Sequence, residues 1–449
     1  MNRYDLVIIG AGPAGEAAAF VARERSASVA VVDRDLFGGA CPFFACMPSK
    51  SLLHSAAVHA GGGDYPWPKA SDRRDWMISR EGTAYPDDGR HFGDLEAAGA
   101  VAMRGTARLD GPGRVAVTHD GVEHILEAGA VIVAVGSTSK LPDMPGLDDV
   151  PFWTNRDATT ARQLPESLLI LGAGPTGVEL AQVFARYGVP VTLVVPGSRI
   201  LPRDHPRTSA VVAASLQRDG VTIRTGARAV AAHAGAGVGG RHRFDLDDGS
   251  SVEGAAVLLA IGRSVPLDGL GLETVGVDVS SGRLTPDAQL RIAPGVFVAG
   301  DAAGPEMHTH VSHYQGEMAA RIALGDDLTP DYRAIPRAVY TDPETGSVGL
   351  LLDEAQKRGI AAEELTADLA TSAKGFAAEA EGHVTIVVDR GAGTLIGAFI
   401  AGPGASEAIH EAVLAVKLQT PLTVLADTIH AFPTVARVMG ILFASAAKG

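Results

Sequence analysis

The stretch Leu6-Val7-Ile8-Ile9-Gly10-Ala11-Gly12-Pro13-Ala14-Gly15 decides how this chain folds. Four apolar residues in a row predict a buried strand, and the glycines after them predict a tight turn. An alanine-rich helix follows to about Arg23, and Val29 to Val32 forms a second strand ending in Asp33. Glycines so placed let a pyrophosphate approach the helix N-terminus, where free N–H groups and the helix dipole favour an anion. An acid at the tip of the second strand can accept hydrogen bonds from ribose hydroxyls. A glycine turn alone reads equally well as a structural turn. With strand, helix and terminal acid in order, Gly10, Gly12, Gly15 and Asp33 read as a dinucleotide site.

The unit occurs a second time. Leu168 to Leu171 is the strand, Gly172-Ala173-Gly174-Pro175-Thr176-Gly177 the turn, and a helix runs to about Tyr187 before the strand Val191 to Val195. Gly172, Gly174 and Gly177 repeat the first pattern, but the count that leads from Gly10 to Asp33 leads from Gly172 to Val195. An apolar residue there removes both the acid that holds a 2′-hydroxyl and the repulsion against a 2′-phosphate. Ser198, Arg199 and Arg203 follow closely as partners for such a phosphate, which tilts the choice towards NADPH over NADH. Packing or ion pairing is the other reading of Arg199.

Two more buried-strand runs end in glycine, at Gly136 and Gly262, and Val296-Phe297-Val298-Ala299-Gly300-Asp301 ends in an acid. Asp301 is placed to bond a polyol such as a ribityl chain; otherwise it is a helix N-cap ahead of a helix at Gln315 to Leu324. From about Arg333 the texture changes. Strands near 338–340, 384–388 and 395–400 precede helices over 407–418, 422–429 and 435–446, an α+β tail. The glycine-rich run 235–240 reads as a flexible hairpin loop.

Only two cysteines occur in 449 residues, both in Gly38-Gly39-Ala40-Cys41-Pro42-Phe43-Phe44-Ala45-Cys46-Met47-Pro48-Ser49-Lys50. Their spacing can close a small ring, and an amphipathic stretch from Lys50 to Ala60 follows at once. Thiols at a helix N-terminus are biased towards thiolate, so the run reads as a redox pair. Two buried free cysteines or half a metal site are the alternatives, and no further ligands stand nearby at metal-site spacing.

Length calls for several domains. The 46% hydrophobic content is globular, and the longest apolar runs are strand-length, too short to span a bilayer. A formal charge of −14 argues against nucleic acid or an anionic membrane as partner. Met1 to Asp5 leads straight into the first strand with no room for a signal peptide, so a soluble cytoplasmic protein is expected.

The redox run, both glycine turns, Ala134-Val135-Gly136, Ala299-Gly300-Asp301 and Thr341-Asp342-Pro343-Glu344 together resemble, over nearly the whole chain, the class I flavoprotein disulfide reductases. That group contains glutathione reductase, dihydrolipoamide dehydrogenase and mercuric reductase. The resemblance implies an α/β protein with two nested Rossmann-like dinucleotide-binding domains and a C-terminal α+β dimerisation domain. It places FAD on residues 1–148 and 264–332, NAD(P)H on 149–263, and a homodimer interface on 333–449. It also implies that Cys46 contacts the flavin as a charge-transfer thiolate, that Cys41 exchanges with substrate, and that Lys50 sits near the flavin paired with Glu179. Residues alone would make Glu179 a helix-surface charge. Pro175 stands where several relatives carry an aromatic gate.

One departure stands out. The family's His-Pro-Thr segment with a following Glu, contributed by the partner subunit, shuttles protons to the exchange thiol. Here the chain reads Ile429-His430-Ala431-Phe432-Pro433-Thr434-Val435-Ala436-Arg437, with Phe432 for the histidine and Arg437 for the glutamate. His430, two residues early, reads as a structural histidine. A positioned base contributes on the order of 10²–10⁴-fold, which a phenyl ring cannot supply. The expected partner is therefore a small-molecule electron acceptor other than an ordinary disulfide: a soft metal ion, a quinone, or carbon chemistry that excludes protons. 2-Ketopropyl-coenzyme M carboxylase is a family member with phenylalanine at this position. Arg437 reads either as a binder of an anionic substrate group or as a solvated charge. Phe43 and Phe44 make the substrate side apolar or simply pack. Mercuric-reductase-like members carry an extra cysteine pair that this sequence lacks. A flavin-containing scaffold without catalysis is the non-enzyme reading, and it leaves the cysteines unexplained.

Overall fold

In the computed structural model, residues 3–79 and 85–448 are described. Met1, Asn2 and Gly449, the ends of the segments expected from sequence, lie outside them. The chain forms two compact units, residues 1–51, 71–140 and 262–330 in one and residues 52–70, 141–261 and 331–449 in the other. The nucleotide segment and the tail thus share a unit.

The first unit is built on parallel strands in the order Val296–Val298, Val122–Val133, Arg3–Ile9, Val29–Asp33, Val101–Arg104, with Arg291–Ala293 antiparallel at one edge. Ile9 pairs Val32 on one side and Val133 on the other, so both neighbours end level with the glycine turn. Leu6, Val7 and Ile8 are buried on both faces, which explains an unbroken apolar run instead of an alternating one. The Pro13–Glu24 helix presents Ala14, Ala18 and Ala22 inward. Small side chains let the Thr309–Ala323 helix cross closely: a Cβ at Gly316 would lie 2.1 Å from the carbonyl oxygen of Ala14.

In the second unit the strands Thr222–Thr225, Val191–Val195, Leu168–Leu171 and Ala256–Leu259 form a parallel sheet in that order. Ala229–His233, His242–Leu246 and Ser251–Gly254 form an antiparallel meander, and the glycine run 235–240 is the hairpin connection in it. The tail is a five-stranded antiparallel sheet, in the order Arg337–Val339, Thr345–Gly349, Thr394–Ala401, His383–Asp389, Ala362–Asp368. Helices Ala405–Leu418, Leu422–Asp427 and Val435–Ala446 accompany it, and their apolar faces share one core with the sheet. No described helix is long and apolar enough to cross a membrane.

Candidate active site

The two glycine turns are built alike, and their glycines do different jobs. At Gly10 and Gly172 φ is +106° and +107°. A Cβ there would lie 2.3 Å from the carbonyl oxygen of Ala134 and 2.4 Å from that of Ala260, respectively. At the third glycines, Gly15 and Gly177, it would lie 1.9 Å from Gly10 O and 2.1 Å from Gly172 O. The fold itself requires glycine at these four places. At Gly12 the nearest atom to a Cβ is 3.8 Å away, and at Gly174 nothing lies within 4 Å. Both have φ of −75°, open to any residue, and both cap a helix N-terminus. Open space in front of a helix N-terminus, kept clear by a glycine the fold does not need, is the cradle a diphosphate requires. These residues fit a bound dinucleotide.

Asp33 ends its strand with Oδ2 accepting from Ala11 N at 2.6 Å and Oδ1 from Asp35 N at 2.8 Å; burial pushes its carboxyl above the usual range. The matching Val195 is buried. Beyond it, Ser198 and Arg199 line a cavity of about 280 Å³ with Ile223 and Thr225. The Arg199 guanidinium donates to the carbonyls of Leu201 (3.1 Å), Asp204 (2.7 Å) and Pro202 (2.8 Å). It therefore braces its own turn.

The cysteines are not joined in a disulfide and lie half-buried in the helices Ala40–Phe44 and Cys46–Ala60. Cys46 Sγ lies 3.4 Å from Thr309 Oγ1. Cys41 is hydrogen-bonded to Cys46, and that bond, together with burial, drives its pKa upward. Cys41 lies in the five-residue helix, and Cys46 opens the long one. Lys50 Nζ donates to Ser49 Oγ at 3.3 Å.

Gly136, Gly262 and Asp301 are brought together through their neighbours. Asp301 lies in the turn Gly300–Ala302 and accepts from the hydroxyl of Ser137, with Arg263 Nη2 3.4 Å away. It is not a helix cap: the following helix starts at Thr309 with His308 as N-cap, earlier than the stretch read from Gln315. Ser137, Arg263 and Thr309 escaped the sequence reading because nothing local marks them.

Glu179 is 4% exposed in the Pro175–Arg186 helix and accepts from Tyr340 N at 3.0 Å, so the surface-charge reading is corrected. Phe432 is 74% exposed, Ile429 96%, and Arg437 is exposed. His430 is buried with Nε2 2.7 Å from Glu411 Oε1. A Cβ at Gly440 would strike its ring, so it packs into the tail as the structural reading expects. Among the described residues no three His, Cys, Asp or Glu side chains are grouped to hold a metal ion.

Residues 4–316 match the pyridine nucleotide-disulphide oxidoreductase family, and residues 335–441 match that family's dimerisation domain. The chain belongs to this family. Among its relatives are a mercuric reductase of Streptomyces lividans, 35% identical over 97% of this chain and 94% of that enzyme. A dihydrolipoyl dehydrogenase of Halobacterium salinarum is 33% identical over 96% and 93%. LpdA of Mycobacterium tuberculosis superposes with a TM-score of 0.88 at 28% identity, over 99% of both chains. The flavoprotein disulfide reductase RclA of Escherichia coli shares the fold, with a TM-score of 0.89 at 23% identity over 99% of this chain and 100% of that one. As a pyridine nucleotide-disulphide oxidoreductase the chain is an enzyme of a FAD-dependent family that uses pyridine nucleotides, and it carries the family's dimerisation domain.

Proposed function

We propose that this enzyme takes electrons from NADPH through FAD on the first unit to the Cys41–Cys46 pair, and hands them to an acceptor that is not an ordinary small disulfide. The observation that carries this reading is the thiol pair itself: two sulfurs hydrogen-bonded to one another, both with the Thr309 hydroxyl as a partner, in a chain with no other cysteine. When bound, FAD supplies the two-electron centre between nicotinamide and cysteines. Cys46, at the head of the long helix, is the flavin-side sulfur, and Cys41 is the exchange thiol. Lys50 and Glu179 serve the flavin, with Glu179 held in place by the Tyr340 N–H.

Phe432 and Arg437 occupy the positions of the family's proton-shuttling dyad. The exposure of Ile429, Phe432, Leu414, Leu418, Val424 and Ile441 supports a homodimer that covers this face, since so many large apolar groups in one tail ordinarily mark an interface. With Phe432 there the exchange thiol has no imidazole to take or return a proton, and acceptors that need none are favoured. A soft metal ion is the second reading, supported by the identity to a mercuric reductase and by the affinity of thiolates for soft metals.

The test is an anaerobic NADPH titration of the FAD-loaded protein, followed by turnover with disulfides, quinones, Hg(II) and the carbon dioxide plus thioether-ketone pair, in wild type and Cys41→Ser. The reading expects flavin bleaching, a long-wavelength band, and turnover with a non-disulfide acceptor that Cys41→Ser abolishes. An unreactive flavin would make the chain a scaffold, and full turnover by Cys41→Ser would remove the thiol relay from the mechanism.

A further inference from the structure

A second carboxylate lies on the helix that the first glycine turn feeds, and its surroundings are unusual. Glu16 is 9% exposed, sits in the first turn of the Pro13–Glu24 helix, and donates its N–H to the carbonyl of Gly12 at 3.0 Å. A first-turn acid suits the helix dipole, yet it spends the positive potential that an anionic ligand at the same N-terminus needs. His91, from the Gly89–Ala97 helix, answers it: His91 Nδ1 lies 2.8 Å from Glu16 Oε1. The imidazole also lies on the segment that crosses the glycine turn. A Cβ at Gly38 would be 2.9 Å from three of its ring atoms, Gly38 N–H donates to Ala11 O at 2.8 Å, and a Cβ at Gly39 would be 2.8 Å from Gly12 Cα. Its other neighbour is Phe43, between the two cysteines, edge-on at 5.7 Å between centroids.

Resting on the assignment of FAD to the first unit, we propose that the His91 imidazolium is part of the diphosphate-binding site: by neutralising Glu16 it restores the positive helix N-terminus that the cofactor's diphosphate requires. The hydrogen bond to Glu16 raises the imidazole's pKa against the opposing effect of burial; Asp94 adds to the rise and Arg90 opposes it. The other charged groups around this site are Asp33, on Ala11 N, the Asp88–Arg104 pair, whose Asp88 accepts from Phe37 N, and the Cys41 and Cys46 thiols. Sign follows directly. Below the raised pKa the Glu16–His91 pair is neutral overall; above it a buried carboxylate stands alone behind the diphosphate cradle and repels the cofactor.

The experiment measures FAD affinity of the deflavinated full chain by fluorescence quenching, between about pH 6 and about pH 9, with apoprotein melting as a fold control. Wild type should bind at least about tenfold more weakly at the upper end, the equivalent of one pKa unit of linkage. H91Q should be weak and flat across the range, E16Q tight and nearly flat, and the E16Q/H91Q double variant should recover affinity to within about threefold of E16Q. The double variant guards against a fold defect, because it carries both changes and should still bind. H91Q binding as tightly as wild type at the acid end, or E16Q keeping the wild-type pH profile, would overturn the proposal. Folded wild type that takes up no FAD at any pH would overturn the cofactor assignment instead.

Discussion

Moving one methyl group along the first glycine turn should separate folding from cofactor binding. In Gly15→Ala the new Cβ meets Gly10 O at 1.9 Å and Gly10 C at 3.0 Å, both backbone, with no flexible tip to give way. Overpacking of this kind costs about 3 kcal/mol, and at about 2–4 °C per kcal/mol for a unit of this size the melting temperature should fall by about 6–12 °C. In Gly12→Ala the nearest atom is 3.8 Å away and φ is −75°. Alanine as N-cap loses a fraction of a kcal/mol, and the stiffer unfolded chain returns about as much. The apoprotein should therefore melt within about 2 °C of wild type. The methyl then stands in the space in front of the helix. If it costs about 1.5–3 kcal/mol of close approach, FAD should bind about 10- to 100-fold more weakly. Differential scanning fluorimetry of the apoproteins and equilibrium FAD binding measure the two quantities separately. Equal destabilisation by both substitutions, or Gly12→Ala binding FAD as wild type does, would refute the division of labour among the three glycines.

Val195→Glu should move the nicotinamide preference towards NADH in stopped-flow flavin reduction, by about tenfold or more; a wild type that already prefers NADH strongly would sink the NADPH reading. Phe432→His with Arg437→Glu should raise turnover of a small disulfide by at least about tenfold, and no gain would mean that pocket shape sets the specificity. Acid stability gives a fourth check. Burial, with the charges of His205 and Arg207, pushes His383 down to about 3. It therefore stays neutral when folded and takes up a proton on unfolding, so its contribution is full above the unfolded value of about 6.5 and is lost as pH falls towards 3. His383→Gln should flatten that part of the stability profile measured by urea unfolding.

Local chemistry was legible and long-range chemistry was not. The strands 168–171 and 191–195 and the helix 435–446 appear where apolar runs and turn residues place them, because each is specified by its own residues. The strand Ala362–Asp368, half-polar along its length, gave no apolar run to read. The helices Trp67–Ser79 and Gly89–Ala97 went unread too, and with them His91. At the site, the roles of Gly10 and Gly15 follow from backbone packing that a glycine pattern encodes. The contacts of Thr309 with Cys46, of Ser137 with Asp301 and of Tyr340 with Glu179 join residues more than 160 positions apart, and no periodicity carries them. Glu179 is the sharpest case: its charge suggests a surface position, yet its helix is buried along residues 177–185 and the distant Tyr340 N–H meets its carboxylate.

The same logic bears on Phe432. A phenyl ring left 74% exposed beside an isoleucine at 96% forgoes about 1.5–3 kcal/mol of burial per side chain, and the segment from Thr428 to Thr434 between two helices has no local reason to carry them. Arg437 lies in the first turn of the final helix, with its N–H held by the Thr434 hydroxyl at 3.1 Å, so the helix start fixes the spacing of Phe432 and Arg437 along the chain. This chain's own core covers neither Phe432 nor Ile429. In a family whose dimerisation domain this tail matches, a second copy is the economical cover. Phe432 and Arg437 would then be residues that one copy presents to its partner. Their effect on acceptor choice should vanish in a variant held monomeric, and survive in a heterodimer in which only one copy carries the Phe432→His and Arg437→Glu changes, at half of the sites.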